Sequence, residues 1–159
     1  MTRLYGRSLR GNRCHDSAPN GQWETVTILS SLRLDGSTES VVFTGAVDRE
    51  MFDEYIKVFL APCLRPGDIV IADNLSPHKS QRACDAVKES QAELIFLPAY
   101  SPDLNPIEEM WSKVKQVLRG LKARTHDDLF DAIRTALECV STSDAQGWFE
   151  SCGYAQFVS

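Results

Sequence analysis

The sequence has no CxxC pair, and its five cysteines (Cys14, Cys63, Cys84, Cys139 and Cys152) are scattered and odd in number. Both facts speak against a disulfide framework or a cysteine-based zinc cluster. They point to a reducing compartment and to free, mostly buried thiols. No apolar stretch reaches the ~18 residues that a membrane-spanning helix needs. The N-terminus carries arginines with no apolar segment behind them, so a secretory signal is not expected. The expected location is the cytoplasm, with no membrane partner. A basic excess is missing too: 17 Lys and Arg stand against 22 Asp and Glu, a net charge of −5. That balance announces no nucleic-acid partner, but it says nothing of local patches. Internal repeats, low-complexity tracts and signs of a second domain are also lacking, and 159 residues suit one domain with a real core.

What is present reads as an α/β chain. Residues 1–21 look irregular, with Arg3, Arg7, Arg10 and Arg13 ahead of the first acid, Asp16. They form either a solvated tail or an arm that touches a phosphate backbone. Two strand-like runs follow, 23–34 and 40–47, with Asp35-Gly36 between them as a hairpin signal. Asp48 can cap a helix through 51–64, whose apolar residues keep helical spacing. The run 68-DIVIAD-73 is apolar without alternation, which suits a strand covered on both faces. Ser76-Pro77 reads as the opening of a helix to about Ser90. A second buried strand is expected over 92–98, then helices over about 106–121, 126–140 and 143–152. Thr125 and Asp128 have the spacing of a capping box.

Asp73 stands at the end of the first buried strand, where ligands bind in such sheets. Its residue type allows two readings there, an Asx turn or a metal ligand. Glu108 is similarly open. Asn105 can be an N-cap with Pro106 at the first helical position, which makes Glu108 the third residue of a capping box. Between these acids runs 97-LPAYSPDLNPIEEMW-111, with Pro98, Pro102 and Pro106 inside nine positions. Each proline fixes φ and removes an N–H, and each pushes its predecessor out of the helical region. A rigid, extended connector is therefore expected to deliver Glu108 to a fixed place beyond the second strand. Two carboxylates brought together so stiffly suit Mg²⁺, a hard ion held by one or two carboxylates with water and phosphate oxygens. Asp103, inside the corner, reads as a turn residue.

Between Met110 and Thr125 the chain has no acid at all. On a helix, Glu108, Ser112, Lys115, Arg119 and Lys122 share one stripe beside the apolar stripe of Ile107, Met110 or Trp111, Val114, Leu118 and Leu121. Lys113 and Arg124 add charge. The stripe is either a solvated face or a track for a DNA backbone.

With 73-DNLSPH-78 and the proline corner quoted together, the sequence resembles the DDE transposases, in the bacterial insertion-sequence branch related to mariner elements. Thirty-four residues separate Asp73 from Glu108, the spacing the resemblance leads one to expect. Tyr5-Gly6-Arg7, Pro66-Gly67-Asp68 and Trp148-Phe149 with Cys152-Gly153-Tyr154 fit it as well. The resemblance implies a ribonuclease H-like mixed sheet flanked by helices, over a single catalytic domain of residues 1–159. It implies Mg²⁺ or Mn²⁺, two ions in an intact site, held by three carboxylates, with Asp73 and Glu108 as the second and third. It implies DNA cleavage and strand transfer, and places Asn74, His78 and Asn105 near the site. DNA and a second copy, or an upstream transposase fragment, are the partners implied. The family's first acid and first strand belong upstream of Tyr5-Gly6-Arg7, where this sequence has no acid, and the helix-turn-helix region that should precede them is not found. Asp16, Asp35 and Asp48 are the conceivable substitutes, although none ends a buried strand. Three readings follow: the catalytic part of a transposase, an inactive remnant that binds DNA or a partner transposase, or a nuclease of the same fold acting on other nucleic acids.

Overall fold

Alternation of apolar residues makes the first two strands a hairpin with two useful faces. The computed structural model describes residues 9–12 and 25–158; Tyr5-Gly6-Arg7, Arg13, Cys14 and Asp16 lie outside the described residues. Strand β1 (Val26–Ser30) pairs antiparallel with β2 (Ser40–Thr44), Ile28 opposite Val42 and Leu29 opposite Val41. Because side chains alternate across a strand, these two pairs point to opposite faces. Leu29 and Val41 join a first core, and Val26, Ile28 and Val42 join a second.

The Asp35-Gly36 turn closes as its sequence suggests. Asp35 Oδ1 accepts from the Ser37 amide at 2.9 Å and from its hydroxyl at 2.6 Å. These bonds hold the carboxyl below its ordinary range. Gly36 has φ +86°, and a Cβ there would lie 2.9 Å from the backbone of Ser141 and Thr142. Arg33 then ties the hairpin to the head of the third strand, through Asp68 at 2.8 Å.

Asp48 caps helix α1 (Arg49–Glu54), accepting from the Met51 amide at 2.9 Å. Asp35 and Asp48 are thus both committed to backbone geometry. The helical segment expected over 51–64 changes pitch instead of staying α. It runs on as a π-helix (Tyr55–Leu60) and ends in a 3₁₀ turn (Ala61–Cys63), where Pro62 has no N–H to continue the ladder. Tyr55 is buried, donates to the Glu39 carbonyl at 2.9 Å, and has its hydroxyl pushed up to about 12 by that burial.

Strands β3 (Ile69–Ala72) and β4 (Glu93–Phe96) pair in parallel, Ala72 opposite Phe96. Among the described residues they are well covered on one face and only partly on the other. Val70 and Leu94 pack against the first core, whereas Ile69 and Ile95 remain 53% and 42% exposed. The α/β class holds, with antiparallel and parallel pairing both present. Among the described residues, however, the strands form two separate two-stranded sheets, not one mixed sheet.

The helix expected from Ser76 starts later. Ser76–His78 makes a single 3₁₀ turn, and α2 spans Gln81–Glu89. The Asp73 carboxylate draws in both the Leu75 amide and the His78 ring, which closes 73–78 as a compact loop before the helix can begin. Phe52, Tyr55, Ile56 and Leu60 from the first helical segment, with Ala83 and Val87 from α2, make up most of the first core.

The second core belongs to α3 (Pro106–Leu121) and α4 (His126–Glu138). Met110, Val114 and Leu118 of α3 meet Ala132, Ile133 and Ala136 of α4, on the far face of the hairpin. Leu121, expected in the apolar stripe, is 47% exposed at the helix end. Thr125 and Asp128 form the capping box that their spacing suggests. Ser141 and Asp144 form a second one, opening α5 (Thr142–Ser151). Of the described cysteines only Cys152 is buried; Cys63 and Cys139 are exposed, so the expectation of mostly buried thiols fails, although all four are free. Among the described residues, no helix is long and apolar enough to cross a membrane.

Candidate metal and DNA site

Parallel pairing sets the end of β3, with Asp73 just beyond it, beside the end of β4, where the proline corner toward Glu108 begins. The Leu97 amide donates to the Ala72 carbonyl at 2.8 Å. Asp73 therefore leaves β3 beside the point where the proline corner leaves β4. The corner is not simply extended. Tyr100 has φ +60° and a fully exposed ring, and Pro102–Leu104 is a 3₁₀ turn. Pro102 starts that turn because its fixed φ suits a first helical position. Asp103 lies in it, but the bonds closing it are backbone ones, Leu104 to Ser101 at 3.2 Å and Asn105 to Pro102 at 3.1 Å.

Asn105 does not act as a side-chain cap. It holds the N-cap position with φ −116° and is buried, yet its side chain makes no capping bond. The capping-box reading of Glu108 therefore fails: only the Glu108 amide bonds back, to the Asn105 carbonyl at 3.0 Å. The Glu108 carboxylate stands exposed on the first turn of α3. The corner is also pinned from the chain's other end. Tyr154 donates to the Leu104 carbonyl at 2.9 Å and meets Phe149 edge-on. The sequence quotes this Trp-Phe and Cys-Gly-Tyr cluster without showing what it touches.

Among the described residues, the hydrogen bonds of the Asp73 carboxylate fall on one oxygen. Its Oδ1 accepts from the Leu75 amide at 3.2 Å and from His78 Nδ1 in a short contact. The Asx-turn reading and an available ligand oxygen thus coexist on one side chain. Asn74 places its side-chain oxygen in a buried spot with no hydrogen-bond partner. An orphaned amide oxygen next to a half-free carboxylate is a donor set for a hard cation. Asp73, Asn74 and Glu108 therefore fit a divalent metal by chemistry. Among the described residues, no group of three or more His, Cys, Asp and Glu side chains is poised around one point. Two surface grooves lie elsewhere. The first, of about 510 Å³, runs between the hairpin turn and α4, and neither is lined by Asp73 or Glu108.

The basic residues divide. Lys115 and Arg119 are exposed on the face that starts at Glu108, and Lys122 and Arg124 are exposed just beyond. Lys113 lies roughly 140° around the helix from Glu108 at 100° per residue. It pairs with Asp144 of α5 at 2.5 Å. That ammonium, with the hydroxyl and amide of Ser141, holds the Asp144 carboxyl down to about 2. Lys113 is thus a strut between helices, and the phosphate-track reading keeps only its four neighbours.

The fold and the acid positions now stand beside a family match. Residues 1–130 match the family described as DDE superfamily endonuclease, so the chain belongs to that family. Among relatives, it is 26% identical over 111 residues to the transposable element Tcb1 transposase of Caenorhabditis briggsae, covering 67% of this chain and 41% of that one. It is 30% identical over 77 residues to the transposable element Tc1 transposase of Caenorhabditis elegans, covering 48% and 28%. It is also 29% identical over 111 residues to the histone-lysine N-methyltransferase SETMAR of Homo sapiens, covering 69% and 16%. The chain thus spans about two-fifths or less of the length of the relatives it matches.

Proposed function

We propose that this chain is the catalytic domain of an insertion-sequence transposase, of ribonuclease H-like fold, that cuts and joins DNA with divalent metal. One observation carries the reading: Asp73 leaves β3 beside the end of β4, and from there the pinned proline corner leads to the first turn of α3, where the Glu108 carboxylate is exposed. Asp73 and Glu108 would hold Mg²⁺ or Mn²⁺, with Asn74 at hand. Bound in a pair, such ions supply activation of water and stabilisation of the leaving oxygen in phosphodiester chemistry. The chain's own part is placement. β3 presents Asp73, the pinned corner leads to Glu108, and the exposed Lys115 and Arg119, with Lys122 and Arg124 just beyond, offer charge along a phosphate backbone. A third carboxylate is not supplied by Asp35 or Asp48, which serve a turn and a cap. That observation keeps a second reading in play, a DNA-binding remnant without its own cleavage activity. A second copy or another transposase fragment is the partner that would complete the site.

Titration with Mn²⁺, followed by the EPR signal of the free ion, tests the metal half. Asp73→Asn and Glu108→Gln should each weaken binding at least about tenfold, as loss of a ligand does at least as much harm as loss of an outer partner. Equal affinity in wild type and both variants sinks the two-carboxylate site. The DNA half is read by fluorescence anisotropy with a random duplex at several salt concentrations. Lys115→Ala and Arg119→Ala should each lower the slope of log K against log salt by about one. Unchanged slopes would assign the basic face to solvent.

A further inference from the structure

The loop after β3 contains a histidine that the metal reading leaves without a task. His78 is 17% exposed at its side chain, and its ring stacks on Phe52 with centroids 4.2 Å apart and planes 22° apart. Phe52 is itself a buried member of the first core, 5% exposed. The imidazole is therefore clamped flat against a fixed wall. Its Nδ1 meets Asp73 Oδ1, the same oxygen that the Leu75 amide approaches. Against an ionised carboxylate this nitrogen carries the proton and donates. Among the described residues, both donors thus converge on one oxygen and none on the other.

We propose that His78 is a positioning residue for Asp73: it locks the carboxylate by Oδ1 and turns Oδ2 outward as the single oxygen offered to a metal ion. The inference rests on the metal reading given above. Partners that orient a metal-ligating side chain are part of how a site selects its geometry, and their loss typically costs 10–100-fold in affinity. Without the clamp, Oδ1 keeps only the bond from the Leu75 amide at 3.2 Å, and the Asp73 carboxylate is less firmly held about χ2. Phe52 extends the same logic one step inward, because it fixes the plane in which Nδ1 can reach.

The test exploits the two nitrogens of the ring. An asparagine amide nitrogen falls close to the place of Nδ1, and a glutamine amide nitrogen falls close to the place of Nε2. The full chain is titrated with Mn²⁺ alone, as wild type and as His78→Ala, His78→Asn, His78→Gln and Asp73→Asn, with apo thermal midpoints recorded alongside. Expected is a loss of about tenfold or more in Mn²⁺ affinity for His78→Ala and for His78→Gln, and affinity within about threefold of wild type for His78→Asn. A structural role without positioning would follow the thermal midpoints and would not separate asparagine from glutamine. If His78→Ala does not fold, the asparagine–glutamine pair still decides. If Asp73→Asn weakens binding while asparagine and glutamine at position 78 behave alike, the positioning role is overturned and the metal reading stands. If Asp73→Asn binds as wild type, the metal reading fails and takes the positioning role with it.

Discussion

Truncation of Met110 to alanine is expected to cost about 2–5 kcal/mol of folding stability, the usual range for emptying a fully buried site of that size. Met110 has no exposed surface and is the largest of the fully buried side chains. It belongs to the core shared by α3, α4 and the hairpin, in which α4 contributes the small residues Ala132 and Ala136 beside Ile133. The alanines lie on a helix and cannot move inward without dragging α4, so the cavity would persist. For a chain of this length the loss corresponds to a fall of roughly 5–20 °C in the thermal midpoint. Met110→Leu, which conserves volume, should cost less than about 1.5 kcal/mol. Urea unfolding of the three proteins, with unchanged slopes, checks both figures. A Met110→Ala cost below about 1 kcal/mol would mean that α3 is not held through this contact.

Gly36→Ala should be nearly as damaging, about 2–4 kcal/mol, from two separate causes. The backbone at Gly36 lies at φ +86°, which disfavours any residue with a Cβ. The added methyl would also stand 2.9 Å from the Ser141 carbonyl carbon and the Thr142 amide. Those atoms are backbone at the start of α5, so no rotamer change relieves the overlap. The Thr142 hydroxyl donates to the Asp35 carbonyl at 2.7 Å, and that bond would break as the turn moved away. Gly45→Ala is the control. Gly45 has φ +119° but open space around its Cβ position, so it isolates the backbone term. Chemical unfolding of both variants should show Gly36→Ala to be the worse; equal costs would refute the contact.

Much of the fold was legible because its signals are local. The bounds of α3, Pro106 to Leu121, follow from a proline start and a regular apolar stripe. The Asp35-Gly36 turn and the Thr125 capping box are likewise written in adjacent residues. The second capping box carried the same Ser-x-x-Asp signal at Ser141–Asp144 and was there to be read. Other features were not legible, because they depend on partners far away in sequence. Lys113 differs from Lys115 only by which way it faces, and only the position of α5 makes it a strut. The apolar residues of the strand at 69–72 suggest burial on both faces, yet Ile69 on one face is 53% exposed. The late start of α2 follows from the Asp73–His78 contact, a side-chain event that helix-start rules do not include. In the candidate site, Asp73, Glu108 and His78 are the residues that the sequence proposes. The orphaned Asn74 oxygen and the Tyr154 bond to the corner were not legible there.

The hairpin's two faces have a consequence for how the site is inherited and altered. Asp73 hangs from the core that Leu29 and Val41 help to fill, and Glu108 from the core that Ile28 and Val42 help to fill. The two acids are thus mounted on opposite sides of a single sheet ladder, like jaws set on a common spine. Interiors packed to crystal density pass on a change of one methyl group as a shift of what rests upon them. On the proposed reading, the gauge of the jaws is then set by four partly buried aliphatic side chains of the hairpin, none of which need ever meet metal or DNA.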